Sequence, residues 1–448
     1  MKNANPMTGV LVSYLALASA SCVCGQDWPQ WRGPNRDARA AEFNAPKTWP
    51  KELTQKWKVT VGGGDATPAL VGDKLYVFTR EGGDEVIRCL DAATGKEVWQ
   101  DKYEAQPATG PAGGPHAGPR SSPTVADGKV VTLGVRGTVS CLDAASGKKL
   151  WRKDDFKGFW PMFFTSSSPI VVDGLCIVQL GGKENGRGRD NGGIVAYDLA
   201  TGDEKWKWTG DSPAYASPEL VTVNSTKLVV AETEHKIVAV AVADGKLAWE
   251  APFAAERMAY NAATPIVDGQ TVIYTGAGRG TKAVKIEKQG DDFTGKELWS
   301  NPQTAVQFNT PVLKDGLLFG LSQRNEFFCI NAENGQTAWS TSAGQPGSSG
   351  PGAKGGPADK GRGGPGGKGG RGMRGGRGGG YASIVDAGSV LLALTPSSEL
   401  TVFEPSNKTF KQLAKYKVAA TPTYAYPVVS GNRVFIKDQD SLTLWTID

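Results

Sequence analysis

One motif recurs along this chain and limits what it can fold into. Thr67-Pro68 opens the run T-P-A-L-V-G-D-K-L-Y-V-F-T, which leads to C-L-D-A-A-T-G-K-E-V-W at Trp99. Ser122-Pro123 opens S-P-T-V-A-D-G-K-V-V-T-L, which leads to C-L-D-A-A-S-G-K-K-L-W at Trp151. The frame returns from Ser168 to Trp206, Ser217 to Trp249, Thr264 to Trp299 and Thr310 to Trp339. A period of roughly 40–55 residues is the mark of a propeller, solenoid or array. Each unit reads as two hairpins. The first turns at Gly72-Asp73, Asp127-Gly128, Asp173-Gly174, Asp268-Gly269 and Asp315-Gly316. The second turns at Thr94-Gly95, Ser146-Gly147, Thr201-Gly202, Asp244-Gly245, Thr294-Gly295 and Asn334-Gly335. Gly beside Asp or Asn supplies the positive φ that tight hairpin turns need. The Pro stands at the first strand's start, where no ladder donor is lost. Four short antiparallel strands per unit make a propeller blade.

The ends of the chain set the blade count. After Trp339 comes a degenerate unit: Ala382-Ser383-Ile384 opens it, Val390–Thr395 and Leu400–Glu404 follow, and Lys415–Val418 stands where a closing Trp strand belongs. A last unit runs from Tyr426-Pro427 to Trp445 and supplies only three strands before Asp448. Leu53–Val61, with Trp57 at the closing position, supplies the fourth. The expected fold is therefore an all-β, eight-bladed propeller of four-stranded antiparallel blades, closed by an N-terminal strand that completes the C-terminal blade. Closure removes the edges that an open sheet would expose. Trp57, Trp99, Trp151, Trp206, Trp249, Trp299 and Trp339 read as a structural ring, one wedge per blade. A ligand would need one or two Trp, not one per blade.

The frame S/T-P-x-V-x-D-G-x-V followed by L-D-A-x-T-G-K-x-x-W resembles the pyrroloquinoline quinone (PQQ)-type propeller repeat. Residues 53–448 fit it apart from one insert. Asp27-Trp28-Pro29-Gln30-Trp31-Arg32-Gly33-Pro34 also resembles the opening of secreted bacterial PQQ-binding-like propellers. The resemblance implies a fold more than a function. The family holds quinoprotein dehydrogenases, which bind the quinone and calcium. It also holds the BamB-like lipoprotein propeller of the outer-membrane β-barrel assembly machine, which binds no quinone. The dehydrogenases use an adjacent Cys-Cys disulfide, a Trp stacked under the quinone, and acidic and amide calcium ligands. This chain has no Cys-Cys pair.

The regions divide as follows. Residues 1–25 read as a signal peptide: Lys2, then an apolar run from Val10 to Ala20, too short to anchor in a bilayer. Cleavage is expected after Ala20 or nearer Gly25. Cys22 raises lipidation, but the sequence before it lacks a large aliphatic residue three positions upstream, which weighs against it. Residues 26–52 form a leader and 53–448 the propeller. Residues 341–380 form a Gly-rich insert, expected to be disordered, with seven Lys and Arg against Asp359. That segment carries +6, whereas the whole chain carries +5, so the basic balance belongs to one loop. It reads as a tolerated loop or as an arm for an anionic surface. Outside the signal segment no stretch is long enough to span a membrane. The protein is expected to be exported, in the periplasm or cell envelope, and monomeric. Cys89, Cys141 and Cys329 share one third-strand position in different blades, which with Cys176 suits buried small residues better than disulfides.

No catalytic constellation stands out. His116 and His235 lack metal-ligand spacing. There is no calcium-loop Asp cluster, no nucleophile elbow, and most Asp residues fall in repeat turns. No catalytic, cofactor-binding or metal residue is assigned, and PQQ and calcium are not supported by the residues. The candidate surface is one mouth of the channel, lined by the residue two before each Ser/Thr-Pro start. These are Asp65, Arg120, Ser166, Tyr215, Ala262, Phe308, Tyr381 and Tyr424, with Tyr260 and Asn261 close by. Four aromatics and an Arg in eight places match the composition of binding hot spots. The same residues would also serve to cap the channel. The expected function is an exported, non-enzymatic scaffold that binds an envelope protein. A PQQ-dependent dehydrogenase or small-ligand-binding propeller, and anionic-polymer binding through the insert, are the alternatives.

Overall fold

A computed structural model of the chain describes residues 25–255, 260–343 and 380–448. The expected signal peptide, apart from Gly25, and nearly all of the basic insert lie outside these residues. Thr341 and Ser342, counted above with the insert, belong to the strand Thr337–Ser342. Eight antiparallel sheets succeed one another. Blades 1 to 8 begin with Ala69–Val71, Thr124–Ala126, Ile170–Val172, Glu219–Val223, Ile266–Asp268, Val312–Lys314, Ser383–Ala387 and Val428–Ser430. Seven sheets have four strands, and blade 3 gains a fifth through Phe159–Trp160. Thr54–Thr60 pairs antiparallel with Ser441–Thr446, so the N-terminal strand closes the ring as expected.

The turns follow the sequence with two departures. In blade 5 the second turn is not Thr294-Gly295. Those residues lie inside the fourth strand, Asp292–Asn301, opposite Glu287 and Ile286. The hairpin runs on to Gly290, whose φ of 63° lets it turn there. The extra residues K-I-E-K-Q-G-D-D lengthen both strands, so the chain reverses at the first glycine it meets. In blade 4 the first turn carries no glycine. Asn224 and Ser225 hold φ of 45° and 66°.

The Trp ring is held by a shared geometry. The indole N–H of Trp57, Trp99, Trp151, Trp206, Trp299 and Trp339 each donates to a backbone carbonyl of the next blade at 2.7–3.2 Å. A glycine of the next blade lies under the ring of Trp57, Trp99, Trp151, Trp206, Trp249 and Trp299: Gly95, Gly147, Gly202, Gly245, Gly295 and Gly335, of which Gly295 stands inside a strand. A Cβ on Gly147 would sit 2.5 Å from Trp99, and one on Gly295 would strike Trp249. Opposite each closing Trp from blade 1 to blade 6 the third strand places Cys or Ala. This accounts for Cys89, Cys141 and Cys329: the wedge needs a small partner. The four described cysteines are free and buried, and burial pushes the Cys89 thiol up to about 11. Blade 7 lacks the Trp, and Trp445 donates to Val418 there instead.

A second belt runs nearer the axis. The hydroxyl of the Ser/Thr-Pro motif accepts from the backbone N–H of the preceding blade's motif. Thr67 donates to Ser122, Ser122 to Ser168, Ser168 to Ser217 and Thr264 to Thr310. Tyr426 closes the circle by donating to Thr67 at 2.9 Å. The motif thus needs a hydroxyl as well as a proline.

The leader fills the channel inside this belt. Trp28 pairs with Leu70 of blade 1, and the Pro29 carbonyl accepts from Val125 of blade 2. Arg36 donates to the carbonyls of Pro169 and Pro218, in blades 3 and 4, at 3.1 and 2.8 Å. Trp31 donates to the Thr264 hydroxyl of blade 5 and Arg32 to the Pro311 carbonyl of blade 6. Ala38 and Ala40 bond to Asp386 of blade 7. Trp31 meets Tyr426 of blade 8 edge-on, at 5.0 Å between ring centroids. One short segment therefore touches every blade. Trp28, Arg32 and Arg36 are buried. Arg32, Arg36 and Ala38 hold φ near 60°, a conformation that costs each about 1–2 kcal/mol and persists only where contacts impose it.

Two outcomes follow. Gly147→Ala combines positive φ with a clash against Trp99, and is expected to lower stability by about 2–4 kcal/mol in chemical denaturation. Ser225→Gly, which relieves an αL serine, should raise it by about 1 kcal/mol. The buried Glu219 carboxylate faces Arg36 at 3.4 Å. Burial raises its pKa from the usual 4.5 to about 7, against the pull of Arg36 and Arg32. A raised carboxyl pKa favours folding only while the group is protonated. The Glu219 contribution is thus present below pH 4.5 and is lost as pH rises to about 7. Relative to Glu219→Gln, the stability of the unaltered protein should fall by about 3 kcal/mol across that window, at ~1.4 kcal/mol per pH unit.

Candidate functional site

The channel mouth opposite the plug is a cavity of about 380 Å³, a size suited to a small ligand or an inserted side chain. All eight residues two before the motif line it: Asp65, Arg120, Ser166, Tyr215, Ala262, Phe308, Tyr381 and Tyr424. They do so because each innermost strand begins at the same height on the axis. Tyr260 joins them, and Trp31 of the leader lies among the lining residues. The plug therefore floors the mouth and makes a pocket of what would be a pore. Asn261 is not at the mouth. It is buried, and its amide donates to the carbonyls of Thr233 and Phe253 at 2.7 and 3.0 Å. It ties the approach to blade 5 down from behind.

Sequence reasoning missed two lining side chains of note. Phe163 lies three residues before Ser166, and His116 ends the second of two short 3-10 turns, Gly110–Ala112 and Gly114–His116. Both fall in loops off the repeat frame. His116 Nδ1 lies 2.7 Å from Asp65 Oδ2, and its ring meets Tyr424 edge-on at 4.6 Å. The sequence offered a weak signal, a Pro/Gly-rich loop holding one of only two His.

The polar groups are committed to the fold. Arg120 donates to the carbonyls of Ala112 and His116 at 2.5 and 3.0 Å, and to that of Phe163. Burial holds its guanidinium below the usual arginine range. It lines the mouth as expected from the sequence and also pins two loops. Ser166 donates to Tyr215 O, and the Tyr215 hydroxyl accepts from the Phe163 amide. Burial is the largest cause raising the pKa of Tyr381, to about 12, so the phenol stays a neutral hydrogen-bonding group at any physiological pH.

The same residues bear on the cofactor that the fold suggests. A calcium ion takes about six to eight oxygen ligands. Among the described residues no group of three or more His, Cys, Asp and Glu is placed to hold a metal. Asp65, the carboxylate at the mouth, is paired with His116. The amide oxygens of the nearby Asn261 and Asn309 already accept from the Arg279 guanidinium and the Leu321 amide. The cysteines sit in blade strands opposite Trp or beside the core. Trp31 could supply a stacking face, but the donor set does not fit a calcium-held quinone.

His235, the other histidine, lies at the outer end of blade 4 and pairs with Asp211 at 2.8 Å. No helix among the described residues is long and apolar enough to cross a membrane.

The chain was compared with known proteins on this footing. It is 24% identical over 306 residues to outer membrane protein assembly factor BamB of Yersinia pestis, covering 64% of this chain and 70% of that protein. It is 30% identical over 188 residues to a quinohemoprotein alcohol dehydrogenase of Comamonas testosteroni, covering 41% of this chain but only 25% of the enzyme. The match thus spans a quarter of that relative's length. Among solved structures, BamB from Moraxella catarrhalis aligns with a TM-score of 0.59 at 13% identity, over 88% of this chain and 99% of that one. The Comamonas testosteroni quinohemoprotein alcohol dehydrogenase aligns with a TM-score of 0.65 at 15% identity, over 94% and 80%. At such identities these likenesses concern the fold alone. The family model described as outer membrane protein assembly factor BamB matches residues 47–182 and 83–341, most of the propeller, and the chain belongs to that PQQ-type propeller family.

Proposed function

We propose that this protein is an exported, non-enzymatic propeller that binds an envelope protein and serves as an assembly scaffold. The observation that carries the reading is the channel mouth. Its aromatic rings are presented on the approaches to blades 3 to 8 and floored by the chain's own leader, while its charged groups make internal contacts. Such a surface has the composition and rigidity of a binding hot spot. The BamB relative, by its name an outer-membrane assembly factor, supports the same reading.

The dehydrogenase reading draws on the quinohemoprotein relatives, and it asks the mouth for ligands that are already engaged. Immobilised protein exposed to an envelope fraction should retain a partner through this face. Tyr381→Ala combined with Tyr424→Ala should weaken retention about 30-fold or more, at about 2 kcal/mol for a hot-spot pair. The melting temperature should stay within a few degrees. Dye reduction by the purified protein after addition of quinone and calcium would contradict the proposal.

A further inference from the structure

The rings of the mouth form two runs with a gap between them. On blades 8, 7 and 6, Tyr424 meets Tyr381 edge-on at 5.3 Å, and Tyr381 stacks on Phe308 at 4.5 Å. On blades 3 to 5, Phe163 and Tyr215 each meet Tyr260 edge-on, at 4.7 and 5.7 Å. Between Tyr260 and Phe308 the lining residue is Ala262, the smallest side chain among the eight rim positions. Aromatic rings pair favourably at centroid separations of 4.5–7 Å, mostly edge-to-face or offset. A ring seated over Ala262 would meet Tyr260 on one side and Phe308 on the other, and would join the two runs.

The charge of the occupant is also constrained. Asp65 is paired with His116, and Arg120 is bound to three carbonyls. Among the described residues, every charged group lining the cavity already has a partner, and a desolvated charge without a partner is costly to seat. What remains uncommitted is neutral: the hydroxyls of Tyr381 and Tyr424 make no hydrogen bond among the described residues. They are placed to bond the amide groups that flank an inserted side chain.

We propose that the mouth receives an uncharged aromatic side chain, tryptophan or tyrosine, carried by a partner polypeptide and seated over Ala262. The inference rests on the scaffold reading and adds the chemistry of the partner. It excludes two other occupants of similar size. An anionic aromatic would meet, among the described residues, only the Arg120 guanidinium, whose donors are bound to three carbonyls. A sugar brings many hydroxyls to be matched, and the uncommitted groups named above are two phenols.

The test uses the full chain and three small molecules: N-acetyl-L-tryptophanamide, indole-3-propionate and maltose. Saturation-transfer NMR should show contact with the first and little with the other two. Ala262→Phe, which fills the seat, should weaken tryptophanamide binding at least tenfold. Phe308→Ala, which removes one wall without adding bulk, should do likewise, so the result does not hang on one variant's folding. Equal binding of tryptophanamide by both variants, absence of saturation transfer, or preference for indole-3-propionate or maltose would each overturn the inference. Envelope capture separates it from the scaffold reading. Retention lost in the Tyr381→Ala, Tyr424→Ala double variant but intact in Ala262→Phe keeps the scaffold and removes the aromatic seat. Retention intact in both removes the two together.

Discussion

Everything at the channel mouth depends on a buried strand of leader that lies across the axis. A closed propeller leaves a hole at its centre, lined by the innermost strands of its blades. Here Trp28, Trp31, Arg32 and Arg36 occupy that hole and reach the blades through backbone carbonyls and motif hydroxyls. The arginines suit the place. A guanidinium carries several donors in a rigid plane, so Arg36 spans two neighbouring blades and also reaches Gln30 and Glu219. Removing the leader would leave a ring of unpaired carbonyls, a deeper channel and a mouth without a floor.

Interblade adhesion is distributed in two belts. Far from the axis, each indole bonds across to the next blade and rests on its turn glycine. Near the axis, the motif hydroxyls pass from blade to blade. Both are hydrogen bonds inside apolar surroundings, where an unmade bond is expensive. A blade that lost either contact would cost its neighbours as well. This explains why the repeat keeps Ser/Thr-Pro, T-G and Trp together while its strand residues drift.

Much of the fold was legible because the constraint is local and periodic. Asp-Gly and Thr-Gly turns, alternating strands and a closing Trp recur within each unit, so blade count and ring closure could be read directly. The turn of blade 5 was misplaced because Thr294-Gly295 fits the motif, although Gly290 comes first and the strand simply runs longer. The rim residues were legible for the same periodic reason. Their roles were less so. Arg120 has the composition of a contact residue, but its partners are loop carbonyls with no signature in sequence. His116 and Phe163 lie in irregular loops that no period locates. The leader's motif stood out, but its eight sets of contacts join residues 27–40 to positions up to 386 and beyond, and no local pattern encodes them.

The most direct measurement is amide hydrogen exchange across residues 27–40. The account predicts that the amides of Trp28, Ala38 and Ala40, bonded to Leu70, Arg32 and Asp386 respectively, exchange as slowly as the innermost strands of the blades, through global unfolding alone. Exchange of these amides at the rate of an unstructured peptide, with the amides of Val77 and Leu392 in the blades' second strands still protected, would contradict it.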